Sequence, residues 1–119
     1  MGDAPEVPAP EAQTEILDLA GHSLGWVDFY WDDYGVAGEV DGKVKYVKDP
    51  FETWWRERHR HERLGDTGLV IVRWGRAELE SMAPLVARLE ASFRRGDRPG
   101  SDRRWVPVFT NRFAPRITA

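Results

Sequence analysis

The sequence predicts an α/β fold, a mixed central sheet with helices covering its faces. Three observations predict it. Residues 14–47 read as a meander of three strands broken by turn clusters. Residues 51–64 lose strand alternation and read as a helix crowded with arginine. A continuous apolar run, Leu69-Val70-Ile71-Val72, is then followed by an amphipathic stretch from Ala77 to Arg94.

Met1 to Pro10 holds three prolines among small and acidic residues and reads as an extended or disordered lead-in. Thr14 to Asp18 is the first strand, closed by Ala20-Gly21-His22-Ser23. Trp26 to Trp31 is the second strand, rich in aromatic and β-branched residues. Asp32-Asp33-Tyr34-Gly35 supplies turn chemistry, and the third strand runs from Val36 to Val47. Asp49 is a candidate N-cap for the helix, with Pro50 in its first turn and an end near Gly65. The run at 69–72 suits a strand buried on both faces. In the second helix Leu79, Met82, Leu85, Val86, Leu89 and Phe93 form one stripe, and Pro84 is a candidate for its true first turn. Residues 11–95 make the domain. Residues 96–119 form a basic tail, in which Trp105 to Phe109 is a candidate edge strand containing Pro107.

At 119 residues the chain is one domain with room for an ordinary core. It has no cysteine, which excludes disulfides, zinc–thiolate sites and a thiol nucleophile. No apolar run approaches a membrane span, and the acidic, proline-rich start does not match a secretory signal. A cytoplasmic protein without a membrane partner or an organic cofactor is expected. The net charge of −3 hides an asymmetry. Residues 1–50 hold 11 acids and 3 lysines, whereas residues 51–119 hold 9 acids and 14 arginines. An acidic half joined to an arginine-rich half fits a phosphate-bearing partner, although a high arginine content also follows from a GC-rich genome.

The feature that points to chemistry lies in the meander. By period-2 alternation Glu39, Asp41, Lys43 and Lys45 share one face of the third strand, and Val40, Val44 and Tyr46 take the other. Asp28 sits mid-strand in the neighbour, where antiparallel pairing brings it to the same row. Asp28, Glu39 and Asp41 are candidate ligands for magnesium or manganese, which favour carboxylate oxygens, waters and substrate phosphates. Lys43 and Lys45 are candidates to stabilise growing charge. Arg56, Arg58, Arg60 and Arg73 are candidates to grip backbone phosphates. The alternative is a solvated strand face with weak cross-strand ion pairs. His59 and His61 stand two apart on a helix, do not converge as a metal pair, and read as a solvated face.

Val27-Asp28-Phe29, the segment from Gly38 through Glu39-Val40-Asp41-Gly42-Lys43 to Tyr46, Glu57-Arg58-His59-Arg60 and Val70-Ile71-Val72-Arg73-Trp74 together carry a resemblance. They resemble the PD-(D/E)XK nuclease superfamily, and are similar in particular to very-short-patch-repair-like endonuclease domains of actinobacterial type. The resemblance covers about residues 11–94. It implies a restriction-endonuclease-like fold and magnesium-dependent phosphodiester hydrolysis. It implies that Asp28 and Glu39 are the two metal carboxylates. It also implies a helix before the first strand, with Glu11 as an auxiliary acid. The lysine usual two residues after the second acid is missing; Asp41 stands there, and Lys43 and Lys45 are the stand-ins. Trp31, Trp54 and Trp55 are candidate wedges between DNA base steps.

The leading expectation is a magnesium-dependent DNA endonuclease or nickase. The competitor is a catalytically degenerate nuclease-fold module that binds DNA or a protein partner, as a regulator or antitoxin-like protein would. A structural partner subunit that borrows an active site is a third reading, and a protein partner or a homodimer is a candidate assembly.

Overall fold

A computed structural model describes residues 7–41, 49–96, 98–100 and 102–109. The chain runs β1 (Glu11–Leu17), β2 (Ser23–Trp31), β3 (Val36–Val40), α1 (Pro50–Asp66), β4 (Val70–Trp74), α2 (Arg76–Glu80), α3 (Met82–Arg95) and β5 (Val106–Phe109). The strands form one mixed sheet in the order β4-β3-β2-β1-β5. β1, β2 and β3 are the antiparallel meander the sequence predicts. β4 joins β3 in parallel after the α1 crossover.

Each turn has a local cause. The Asp18 carboxylate accepts the N–H groups of Ala20 and His22 at 2.9 and 2.8 Å, closing the β1–β2 turn. Asp49 caps α1, its Oδ1 accepting the Glu52 N–H at 3.1 Å, and Pro50 occupies the first helical position. The helix runs to Asp66, two residues beyond the expected Leu64.

The core lies on both faces of the sheet. On the α1 side Ile16, Leu24, Val27, Tyr30, Ala37, Leu64, Leu69 and Trp105 pack together. On the other side α3 presents Leu85, Leu89 and Phe93 at helical spacing to Trp31, Val36, Val72 and Trp74. Gly38 lets this second cluster close, because a Cβ there would sit 2.5 Å from the Trp74 ring.

Several expectations need correction. The helix expected from 77 to 94 is two helices, with Ser81 extended between them. Pro84 lies in the first turn of α3 and has no N–H to donate to the Glu80 carbonyl, so the α2 ladder cannot continue. Leu79 and Met82 are half exposed and line an apolar groove together with Leu85 and Leu89. The run at 69–72 packs on both faces as the sequence predicts, Leu69 and Ile71 in one core cluster and Val70 and Val72 in the other, and it does so at the edge of the described sheet. Glu11 opens β1 and residues 7–10 have no regular structure, so no helix immediately precedes that strand. The third strand ends at Val40 within the described residues; its expected continuation, at 42–47, lies outside them.

The segment read as a basic tail returns to the sheet. β5 pairs antiparallel with β1, with Pro107 at the edge. Trp105 is buried and donates from Nε1 to the Tyr30 hydroxyl at 2.8 Å; that hydroxyl donates to Asp32 Oδ1 at 3.0 Å. Arg103 closes the set, reaching Asp32 Oδ1 at 2.7 Å with its guanidinium 5.0 Å from the Trp105 ring. Burial raises the Tyr30 phenol well above its ordinary value.

A candidate metal and phosphate cleft

β2 and β3 pair from Trp31↔Val36 to Phe29↔Gly38 and then part. Beyond that point the Val40 N–H is taken by a side chain, Asp28 Oδ2, at 2.9 Å. The parted strands and α1 enclose an open cleft of about 650 Å³. Gln13, Gly25, Trp26, Asp28, Glu39, Val40, Asp41, Glu57, Arg60 and Arg73 line it. The three acids expected to converge thus share one cavity. Asp41 is held there by its backbone, whose N–H donates to the Trp74 carbonyl at 2.7 Å.

Glu39 is the electrostatic centre. Its side chain is 9 % exposed and faces α1. Arg60 reaches both carboxylate oxygens: Nη1 lies 3.4 Å from Oε2, and Nη2 bonds Oε1 and also the Trp26 carbonyl. Arg73, the register partner of Glu39 on β4, donates to Oε2 at 3.3 Å. Gly25 makes the Arg60 path passable. A Cβ there would meet Arg60 Nε at 2.8 Å, and its φ of +133° is one that other residues rarely adopt.

His61 Nε2 lies 3.3 Å from Glu39 Oε2, which has the form of an ion pair. Arg73 also bonds that nitrogen, and a guanidinium can only donate, so Nε2 is the acceptor of a neutral ring. Burial, then the Arg73 charge, lowers the His61 pKa below 6.5, in agreement with the neutral form. His61 is therefore an acceptor for Arg73 and not a third cation on Glu39.

Four carboxylates line the cleft against two guanidinium groups, so it carries net negative charge and attracts cations. Among the described residues no three acidic or imidazole side chains are gathered into a metal cage. Magnesium does not need one: it binds through one or two carboxylates and keeps waters and substrate oxygens for the rest. Asp28 and Asp41 fit that role as hard oxygen donors on an open cleft. Glu39 does not fit it as it stands, since its oxygens are committed to arginine.

The other expected site residues scatter. Glu11 lines a separate cavity with Asp32, Asp33 and Tyr34. Trp31 is a core residue, 5 % exposed, donating to the Pro8 carbonyl at 2.7 Å and packed edge-on against Phe93 at 5.4 Å. It is not available as a wedge. Trp54, Arg56 and Arg58 lie on the outer face of α1, outside the cleft lining. There Arg56 pairs with Glu52 at 2.6 Å, and Arg58 sits 5.6 Å over the Trp54 ring and 3.5 Å from Glu62. Trp54 and Trp55 are half exposed. Lys43 and Lys45 lie outside the described residues.

Six contributors are not among the expected site residues: Gln13, Gly25, Trp26, Val40, Glu57 and His61. For Glu57, Arg60 and His61 the signal was present, since spacings of three and four place them on one helix face. The chain matches no protein-family model, no curated protein and no solved structure.

Proposed function

We propose that this protein is a divalent-cation-dependent phosphodiesterase of the nuclease class, built on a restriction-endonuclease-like variant of the α/β sheet and acting on DNA. The observation that supports this is the shared cleft: acids from β2 and β3 face it together with two arginines. In this reading Asp28 and Asp41 hold magnesium or manganese. Such an ion, when bound, supplies neutralisation of phosphate charge and activation of water. Arg60 and Arg73 take the non-bridging oxygens of the scissile phosphate, a bidentate task suited to guanidinium. Glu39 holds both arginines in register for that contact, and His61 orients Arg73 by accepting from it. Net negative charge in the cleft keeps a polyanion out until a cation enters, so the two ligands bind in a coupled way.

A specific observation favours a second reading. Arginine already neutralises both oxygens of Glu39, the arrangement of a structural ion pair, which suits a catalytically degenerate module that binds DNA or a protein. Nicking of supercoiled plasmid separates the two. The nuclease reading expects relaxation with magnesium or manganese, none with chelator, and a loss of at least about 100-fold in Asp28→Asn at an unchanged melting temperature. Absence of cation-dependent nicking in the wild type, or equal rates in Asp28→Asn, overturns it.

A further inference from the structure

Gln13 is the only described residue other than glycine with a positive φ, at 49°. That left-handed region is one an L-residue other than Gly, Asn or Asp rarely adopts. The conformation falls at a particular place. β1 and β2 pair at Ala12↔Phe29 and at Thr14↔Val27, so Gln13 stands opposite Asp28, between the two. Both line the cleft. Strand alternation slips at the same point. Val27 and Tyr30 pack in one core cluster on the α1 side, although three residues apart, while Phe29 and Trp31 pack on the other side. In a regular strand residues 27 and 29 share a face. On its other edge β2 leaves β3 at Asp28, whose carboxylate takes the Val40 N–H in place of a backbone carbonyl.

We infer that Gln13 is a positioning residue for Asp28: its left-handed backbone opens the ladder on the β1 side and turns the residue 28 carboxylate onto Val40 and into the cleft. Local irregularities of this kind re-aim side chains next to functional sites. The agent is the backbone conformation, so residues that accept the left-handed region can replace Gln13 and β-branched residues cannot. The catalytic half of the inference rests on the nuclease reading; the structural half does not.

The test uses the full chain and two readouts. The first is hydrogen exchange and the chemical shift of the Val40 amide, which reports the Asp28 contact without any substrate. The second is cation-dependent plasmid nicking. Gln13→Gly and Gln13→Asn are expected to keep both within about threefold of wild type. Gln13→Val is expected to raise Val40 exchange about tenfold, following the left-handed penalty, and to lower nicking at least as much. Should Gln13→Val not fold, Gln13→Thr, likewise β-branched, carries the same expectation. The inference is overturned if Val or Thr leaves the Val40 amide unchanged, or if Gly impairs nicking as severely as Val. Loss of Val40 protection in Gln13→Val, with no nicking by any form of the protein, would uphold the positioning role and defeat the nuclease reading alone.

Discussion

Replacing Arg60 by methionine removes the group that ties α1 to the parting strands. The side chain is 19 % exposed and spans Gly25 to reach both oxygens of Glu39 and the Trp26 carbonyl. Its loss leaves a Glu39 side chain that is 9 % exposed with one guanidinium contact, from Arg73 at 3.3 Å. Breaking a buried pair from one side costs about 3–5 kcal/mol, and the remaining Arg73 contact places this case near the lower end, at about 3 kcal/mol. For a domain of this size that corresponds to roughly 12 °C in melting temperature. Urea titration followed by tryptophan fluorescence measures it. Gly25→Ala supplies an internal control: its Cβ meets Arg60, so part of its cost disappears in the Arg60→Met background and the two changes are not additive. A loss below about 1 kcal/mol, the value of an exposed pair, would show that Arg60 does not hold Glu39 in solution and would refute the reasoning.

Two further predictions concern pH. The folded-state pKa of His61 is lowered, so the unfolded chain takes up the proton first; stability should fall as the pH drops below about 6.5, and His61→Gln should remove that part of the slope in a pH series of urea melts. Tyr30 behaves in the opposite sense. Its folded-state pKa is raised, so above about pH 10 the unfolded chain loses its proton first and stability should decline by up to about 1.4 kcal/mol per pH unit. Phenolate absorbance from Tyr30 should therefore appear only with unfolding, and its appearance in the folded protein would contradict the buried network.

The elements legible in the sequence are those with strong local causes. Asp49-Pro50 marked the start of α1, alternation marked the meander, and the Leu85, Leu89 and Phe93 spacing marked the buried face of α3. Period-2 counting also brought Glu39 and Asp41 to one cleft. Antiparallel pairing with β3 also brought Asp28 to that row, two residues from Tyr30 on the α1 face; what it did not reveal is that Val27 packs on the same face, a slip in alternation that falls opposite Gln13 on β1. The partners of Glu39 were hidden for a related reason. Arg60 and His61 come from 21 and 22 residues downstream, and surface charge on α1 conceals which arginine points inward. Trp31 and Trp54 differ by nothing in composition, yet one fills the core and the other faces outward. The edge strand near 105–109 is legible in the sequence, but the burial of Trp105 is not, because it depends on Tyr30 and Asp32, more than seventy residues away.

The claim underlying all of this is that acidic groups of two parting strands receive one hard cation. Manganese binding, read from the loss of the free-ion electron paramagnetic resonance signal on titration with protein, tests it directly. The account predicts saturable uptake by the wild type, loss of that uptake in Asp28→Asn, and competition by magnesium. Uptake that is undiminished in Asp28→Asn, or absent from the wild type, would contradict it.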